Sequence, residues 1–208
     1  MNDRLMNTAV TAWMGARKAG LAPVSLGAGI LFCLSLLSPL QAGERLQGLM
    51  DRLASAGGTE VSFVEEKHLD MLDVPLIQKG RLRFIPPDRF ERVLEGPGGG
   101  RFVIDGQRVL QQQGDTRREL DLEQLPAVQA FAASFGATLR GDLEMLQKYY
   151  EINFDDTADT WVLELLPKDP QLQRFVTRIV LRGQGGLVKR MEVYEVNGDW
   201  SDMRLLYE

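Results

Sequence analysis

The residues from Asp73 to Gly106 constrain the fold of this chain most strongly. Strand-like runs follow one another closely there, at Leu76–Ile85, Arg89–Leu94 and Arg101–Ile104. Pro86-Pro87-Asp88 and the glycine-rich segment 96–100 separate these runs, and such residues reverse the direction of a chain. The stretch therefore predicts a meander of antiparallel strands. It holds no nucleophile, metal site or phosphate-binding loop, so we expect a binding protein rather than an enzyme.

Strand-like runs continue on both sides of the meander. Asp105-Gly106 and Asn197-Gly198 are strong hairpin signals between neighbouring runs. The further predicted strands are Thr59–Lys67, Arg108–Leu110, Thr116–Leu122, Tyr149–Phe154, Thr160–Leu166, Phe175–Leu181, Leu187–Val196 and Asp199–Tyr207. Helical spacing predicts one helix over Glu44–Ala56 and two short helices between Gln124 and Lys148. The pattern favours one continuous sheet of about ten strands that curls to bury its apolar side.

Residues 1–42 have the pattern of a secretory signal peptide. Arg17 and Lys18 precede the apolar stretch Leu21–Leu40, and Ala42 offers a small residue for cleavage. A transmembrane anchor is the alternative, because the apolar stretch approaches the length that spans a bilayer. Prolines and glycines within the stretch favour cleavage. We therefore expect a leader at 1–42 and a single exported domain at 43–208.

The charge and cysteine content of residues 43–208 disfavours several kinds of partner. Of the 24 basic and 29 acidic residues, three and one respectively lie within 1–42, which leaves a net charge of −7. Such a balance argues against nucleic acid and anionic membrane surfaces as partners. The single cysteine, Cys33, lies in the predicted leader. The exported domain would therefore have no disulfide and would depend on its core.

The sequence contains few residues that could form a catalytic or metal-binding site. His68 is the only histidine, and none of Ser62, Ser134 and Ser201 lies in a nucleophile-elbow sequence. The aspartates between 155 and 159 lack the glycine and glutamate of a calcium loop. We predict no catalytic residue, no metal and no cofactor. A lipid-modifying hydrolase that uses His68 is the enzyme alternative.

Alternation along the strands places aromatic, leucine, methionine and other aliphatic side chains on one concave face. Two phenylalanines of a predicted helix join this set. The candidate ligand-binding residues are Phe63, Leu82, Phe84, Phe90, Phe102, Ile104, Phe131, Phe135, Trp161, Leu163, Leu165, Ile179, Leu181, Met191, Val193, Met203 and Leu205. Periodicity leaves two interpretations open: an ordinary core closed by the helices, or the lining of a ligand cavity, for which Met and Phe are adaptable.

Several short elements occur in a characteristic order within residues 43–208. They are Gly80-Arg81-Leu82, Pro87-Asp88-Arg89-Phe90, Val103-Ile104-Asp105-Gly106, Trp161–Pro167 and Asn197-Gly198-Asp199. This ordered set resembles the LolA family of periplasmic carriers for outer-membrane lipoproteins. The resemblance implies an α+β, mainly β fold, in which the curled antiparallel sheet forms an unclosed β-barrel with a helical lid. It also implies that the concave face binds acyl chains, which favours the cavity interpretation.

The resemblance further implies a periplasmic monomer that carries an acylated lipoprotein, or a lipid or polyene, from an inner-membrane transporter to an outer-membrane acceptor. Two features depart from the family pattern. Pro86 occupies the position of an arginine that holds the lid closed, which would leave closure to Arg83 or Arg89 or make the lid looser. The sequence stops at Glu208 with the closing hairpin, which resembles the LolA-like branch that lacks a C-terminal extension. An envelope-stress or protein-docking module on the same half-barrel remains the binding alternative.

Overall fold

A computed structural model describes residues 38–56, 60–85 and 88–207, except for the side chains of residues 38–42, 126, 127, 130, 131 and 135. Most of the predicted leader and the predicted Pro86-Pro87 turn therefore lie outside the described residues. The helices are α1 (Ser38–Ser55), α2 (Pro126–Arg140) and α3 (Leu143–Tyr149), with short 3₁₀ turns at Leu122–Gln124 and Leu172–Arg174. The strands are β1 (Glu60–His68), β2 (Leu76–Ile85), β3 (Arg89–Leu94), β4 (Arg101–Asp105), β5 (Arg108–Gln113), β6 (Thr116–Asp121), β7 (Tyr150–Asp156), β8 (Thr160–Pro167), β9 (Val176–Gln184), β10 (Leu187–Glu195) and β11 (Trp200–Leu206).

All the described strands belong to one antiparallel sheet of 11 strands, in the order β6-β5-β4-β3-β2-β1-β11-β10-β9-β8-β7. The sheet is not closed, because β6 and β7 form its two edges. The chain crosses from one edge to the other through α2 and α3, so the helical insert joins the two edges. The predicted fold class is thereby confirmed, with 11 strands rather than about ten.

The register of the sheet separates an apolar inner face from a charged convex face. Inner positions pair across strands as Phe63 with Leu205, Phe84 with Phe90 and Leu163 with Leu181. Convex positions form ion pairs across strands instead, as in the two hydrogen bonds of 2.7 and 2.8 Å from Arg190 to Asp202. The arginine of this pair is 43% exposed although its carboxylate partner is buried, so solvent screens the pair and its net contribution to stability is small. Burial of the inner face therefore supplies the main driving force for the fold.

Helix α1 covers one part of the inner face. Its buried residues recur at helical spacing, at Leu46, Leu49, Met50 and Leu53. Its C-terminal end lies close to the β9–β10 hairpin, since a Cβ atom on Gly186 would stand 2.6 Å from the carbonyl oxygen of Arg52. The helix begins at Ser38, upstream of the predicted Glu44, and therefore includes residues assigned to the leader.

Helix α2 approaches the sheet at a glycine. A Cβ atom on Gly136 would lie 3.2 Å from Cε2 of Phe90 and 2.9 Å from an Arg140 nitrogen. Gly136 therefore permits a close helix-to-sheet contact. Gly141 ends the helix, with a φ of 67° that favours glycine.

Candidate functional site

The inner face of the sheet borders a cavity of about 480 Å³ beneath α2. Its apolar lining consists of Leu82, Phe90, Leu94, Phe102, Ile104, Val128, Val176, Met191, Val193 and Met203. Its polar lining consists mainly of long side chains, namely Glu65, Lys67, Gln78, Glu91, Arg92, Arg101, Gln111, Gln112, Gln113, Glu195 and Ser201. The volume falls within the range of roughly 300–1,000 Å³ that is usual for small-molecule sites. The cavity is therefore amphipathic and large enough for one elongated ligand.

The structure divides the predicted ligand-binding residues into two groups. The cavity-lining group comprises Leu82, Phe90, Phe102, Ile104, Met191, Val193 and Met203. The other described members are buried in the hydrophobic core and do not line the cavity; they are Phe63, Phe84, Trp161, Leu163, Leu165, Ile179, Leu181 and Leu205. The side chains of Phe131 and Phe135 lie outside the described residues. Both sequence interpretations of the concave face thus apply, each to a different part of it.

A charged cluster in the cavity wall escaped the sequence analysis. Arg92 of β3 stands between Leu82 and Phe102 in the register, on the inner face. Its Nη2 atom forms an ion pair with Glu65 and donates a hydrogen bond of 2.8 Å to Oε1 of Gln78. The Glu65 side chain is 7% exposed and that of Arg92 is 26% exposed. The sequence did contain a signal for this cluster. Glu65 lies two residues after Phe63 and Arg92 lies two residues after Phe90, so alternation places both charged residues on the inner face.

The two arginines predicted to close the lid lie on the other face of the sheet. Nη2 of Arg89 stands 2.8 Å from Glu91 and Nη1 stands 3.1 Å from Asp105. Arg83 is opposite Glu91 in the register and shares its convex side. The lid-closing role suggested for Arg83 or Arg89 is therefore wrong. The inward-facing arginine of β3 is Arg92.

Glu91 is the centre of a compact ion-pair cluster on the convex face. Burial alone would raise the pKa of Glu91, but hydrogen bonds from Arg89 and Arg101 and their positive charges lower that pKa below its ordinary value. Arg101 Nη2 lies 3.0 Å from the carboxylate. The cluster ties β3 to β4 behind the cavity wall.

The structure separates His68 from Ser201, one of the serines considered for catalysis. His68 stacks on Trp200 on the convex face, with ring centroids 3.8 Å apart and an interplanar angle of 4°. Ser201 pairs with Val193 on the inner face, so His68 and Ser201 point to opposite sides of the sheet. Within the described residues, no three metal-ligating side chains come together.

One end of the sheet carries a group of exposed apolar side chains, which we call the apolar rim. It comprises Met71, Leu72, Val74, Phe175 and Val196. Met71 is 85% exposed and Val74 is 69% exposed. Two hydrogen bonds bring its segments together: the Val196 N–H donates to the backbone carbonyl of Phe175 at 3.0 Å, and the Asp70 N–H donates to the side-chain carboxylate of Asp199 at 2.8 Å. The same strand ends contribute Lys67, Val176 and Glu195 to the cavity lining, so the rim borders the cavity. Such a group of exposed apolar side chains is a candidate contact surface.

Comparison with solved structures gives several distant similarities. One is a LolA superfamily protein from Nitrosomonas europaea, with 10% identity, a TM-score of 0.43 and coverage of 79% of this chain and 93% of that one. Another is the lipoprotein LppX of Mycobacterium tuberculosis, with 14% identity, a TM-score of 0.43 and coverage of 81% and 94%. A third is the MucA/MucB complex of Pseudomonas aeruginosa, with 12% identity, a TM-score of 0.43 and coverage of 77% of this chain and 55% of that one.

Sequence comparison identifies the family. No curated protein matches the chain, and none of the helices in the described ranges is long and apolar enough to cross a membrane. The family model described as "Outer membrane lipoprotein carrier protein LolA-like" matches residues 41–206, which is most of the chain. The chain therefore belongs to the family of LolA-like outer membrane lipoprotein carrier proteins.

Proposed function

We propose that this protein is a periplasmic carrier that holds an acyl chain of a lipoprotein or lipid in its cavity and delivers it to the outer membrane. The observation that supports this role is the cavity beneath α2, whose apolar lining includes Phe90, Phe102 and Met203. Membership of the LolA-like family supports the same role. The cargo is an acylated lipoprotein, or a lipid or polyene, and the protein acts as a monomer without a cofactor.

The energetics of acyl-chain burial require direct transfer between partners. Each buried methylene contributes about 0.8 kcal/mol, so a chain of about 16 methylenes gains roughly 13 kcal/mol before ordering costs. Escape of the cargo into water is therefore rare. The carrier must hand over its cargo while a partner covers the opening.

The apolar rim is suited to that handover. Met71 and Val74 are exposed in the loop between β1 and β2, and the end of β1 contributes Lys67 to the cavity lining. In our proposal, residues 1–42 are removed on export, and the domain at 43–208 uses the rim to contact an inner-membrane transporter and an outer-membrane acceptor. Contact at this position would cover apolar surface only during transfer.

The proposal is tested by the contents of the purified protein. The exported form would be purified without detergent and studied by native mass spectrometry and organic extraction. We expect a co-purifying acyl lipid or polyene that is released on denaturation. Phe102→Asp should abolish this cargo, because Phe102 lines the cavity. Leu206→Asp is the matched control, since Leu206 is 50% exposed and does not line the cavity.

A cargo-free protein that remains free after incubation with lipids and acylated peptides would contradict the carrier role. Equal cargo in wild type and Phe102→Asp would contradict the assignment of the cavity. A cargo-free result would favour the protein-docking alternative, with the apolar rim as the docking surface.

A further inference from the structure

Arg92 offers hydrogen-bond donors to the cavity. Its ion pair with Glu65 and its hydrogen bond to Gln78 both use Nη2. A guanidinium group has five N–H groups, so those on Nη1 and Nε are not used by either partner. The Arg92 Cζ atom lies 4.9 Å from the centroid of the Phe63 ring, which fixes the guanidinium against the inner face. The cavity wall therefore presents an oriented donor group beside apolar residues.

The inward-facing charged residues of the cavity wall include equal numbers of cations and anions. The inward-facing cationic residues are Lys67 and Arg92, and the inward-facing anionic residues are Glu65 and Glu195. Each cation lies within ion-pair distance of one of these carboxylates, as in the 3.7 Å contact from Lys67 to Glu195. A charged ligand group would therefore add an uncompensated charge to a partly apolar site, which is costly. An uncharged oxygen acceptor would accept from Arg92 without that cost.

We infer that Arg92 binds the ester or amide carbonyl oxygen at the head of an acyl chain, and that the cavity prefers this uncharged head to a free carboxylate. The chain itself lies against Phe90, Phe102 and Ile104. Phe102 is the register neighbour of Arg92, and Phe90 is two residues before it on the same face. The inference rests on the proposed function of acyl binding and specifies the chemistry of the cargo head. Acylglycerols and N-acylated peptides both supply such a carbonyl.

Matched ligands of equal chain length test the carbonyl contact. The probes are 1-monopalmitoylglycerol, the ether 1-O-hexadecylglycerol, palmitate and an N-palmitoylated peptide, each titrated into the cargo-free protein by calorimetry. The ester and the ether differ chiefly in the carbonyl group. A hydrogen bond to a charged group should make the ester bind roughly 10- to 100-fold more tightly than the ether. Palmitate should bind more weakly than the ester. The ester and the peptide separate the two sources of the carbonyl.

A double variant tests the role of Arg92. Glu65→Gln with Arg92→Gln keeps the lining neutral and should remove the preference for ester over ether while ether binding persists. Glu66→Gln with Arg204→Gln removes a similar ion pair, of 2.8 Å, on the convex face and should retain the preference. Arg92→Lys preserves the charge but lacks the planar fork, and it provides a milder variant if the double variant is unstable.

The possible outcomes separate the inference from the proposed function. If wild type binds none of the four probes, the acyl-carrier function fails and the inference fails with it. Equal binding of ester and ether by wild type would preserve the carrier function and overturn the role of Arg92. Tighter binding of palmitate than of the ester would overturn the selection for an uncharged head.

Discussion

The inner face of the sheet is a filled core in one region and the wall of a cavity in another. In the filled region, where β8 pairs with β9, the inner side chains Leu163, Leu165 and Ile179 are buried in the core, and Leu163 and Leu165 are both 0% exposed. In the cavity region, which β2 to β5 form together with parts of β1, β10 and β11, inner positions include Gln78, Arg92 and Gln111. Both regions follow the same alternation along their strands. Polar residues at inner positions therefore distinguish a ligand site from a core.

The helices account for the difference. Helix α1 lies near the filled region, where Arg45 forms an ion pair with Asp156 of β7 and Arg52 approaches the β9–β10 hairpin. Helix α2 contacts the cavity region closely at Gly136 and contributes Val128 to the lining. The cavity lining includes a residue of α2 and none of the described residues of α1. The cavity therefore lies where α2, rather than α1, covers the inner face.

The largest effect is expected for a charge placed in the filled region. Leu163→Asp would bury a carboxylate without a partner, so the free energy of unfolding should fall by more than about 4 kcal/mol. Circular dichroism with urea titration would measure the loss. Phe102→Asp in the cavity region should stay folded, since Phe102 is only partly buried. A Leu163→Asp protein as stable as Phe102→Asp would erase the distinction between the regions.

Two variants, each with a larger side chain at one of two paired positions, would locate the boundary between the filled region and the cavity region. Ile179 and Val193 face each other across β9 and β10, but only Val193 lines the cavity. Ile179→Phe should overpack the core and lower the free energy of unfolding by about 1–3 kcal/mol.

Val193→Phe should instead leave stability nearly unchanged and weaken acyl binding. Each displaced methylene of the cargo costs about 0.8 kcal/mol, so two of them would reduce affinity about tenfold. Urea unfolding and palmitoylglycerol titration would give the two readouts. Equal destabilisation by both variants would place Val193 in the core.

Alkaline titration tests the packing beside the filled region. The hydroxyl of Tyr207 donates to the carbonyl oxygen of Val188 at 2.7 Å, and burial raises the pKa of Tyr207 to about 12. Because the folded pKa lies above the ordinary value of about 10, the protonated tyrosine stabilises the fold below pH about 10. That contribution should be lost as the pH rises towards 12. Tyrosinate absorbance should show a late-titrating group that is missing in Tyr207→Phe.

The smallest effect on the free energy of unfolding is expected for a substitution in the Glu91 ion-pair cluster, behind the cavity wall. Arg89 and Arg101 lower the pKa of Glu91, so the ionised carboxylate stabilises the fold above its unfolded pKa of about 4.3. That contribution is lost as the pH falls through the lowered folded pKa. Glu91→Gln should cost less than about 1 kcal/mol at neutral pH and nothing at strongly acidic pH. If Glu91→Gln lowered the free energy of unfolding by the same amount at acidic pH as at neutral pH, the substitution would act through packing rather than through the lost charge.

Local sequence signals predicted the strands well. The bounds of β2 and β3 coincide with the predicted Leu76–Ile85 and Arg89–Leu94, because proline- and glycine-rich turns delimit both runs. The start of α1 at Ser38 was missed, since the apolar residues before Glu44 had been assigned to a leader. For the cavity, alternation correctly placed Phe90 and Phe102 on the inner face. Alternation gave no information on how much of the inner face the helices would cover.

The sequence by itself determined the antiparallel meander, the inner and convex faces and the helical insert, because alternation, turn residues and helical spacing are local properties of the chain. Only the tertiary structure decided where the inner face is core and where it is cavity. That outcome depends on how closely α1 and α2 approach the sheet, as at Gly136 and Phe90. It also depends on the pairing of Glu65 in β1 with Arg92 in β3. These contacts join residues that are distant along the chain, and no periodicity of a single strand encodes them.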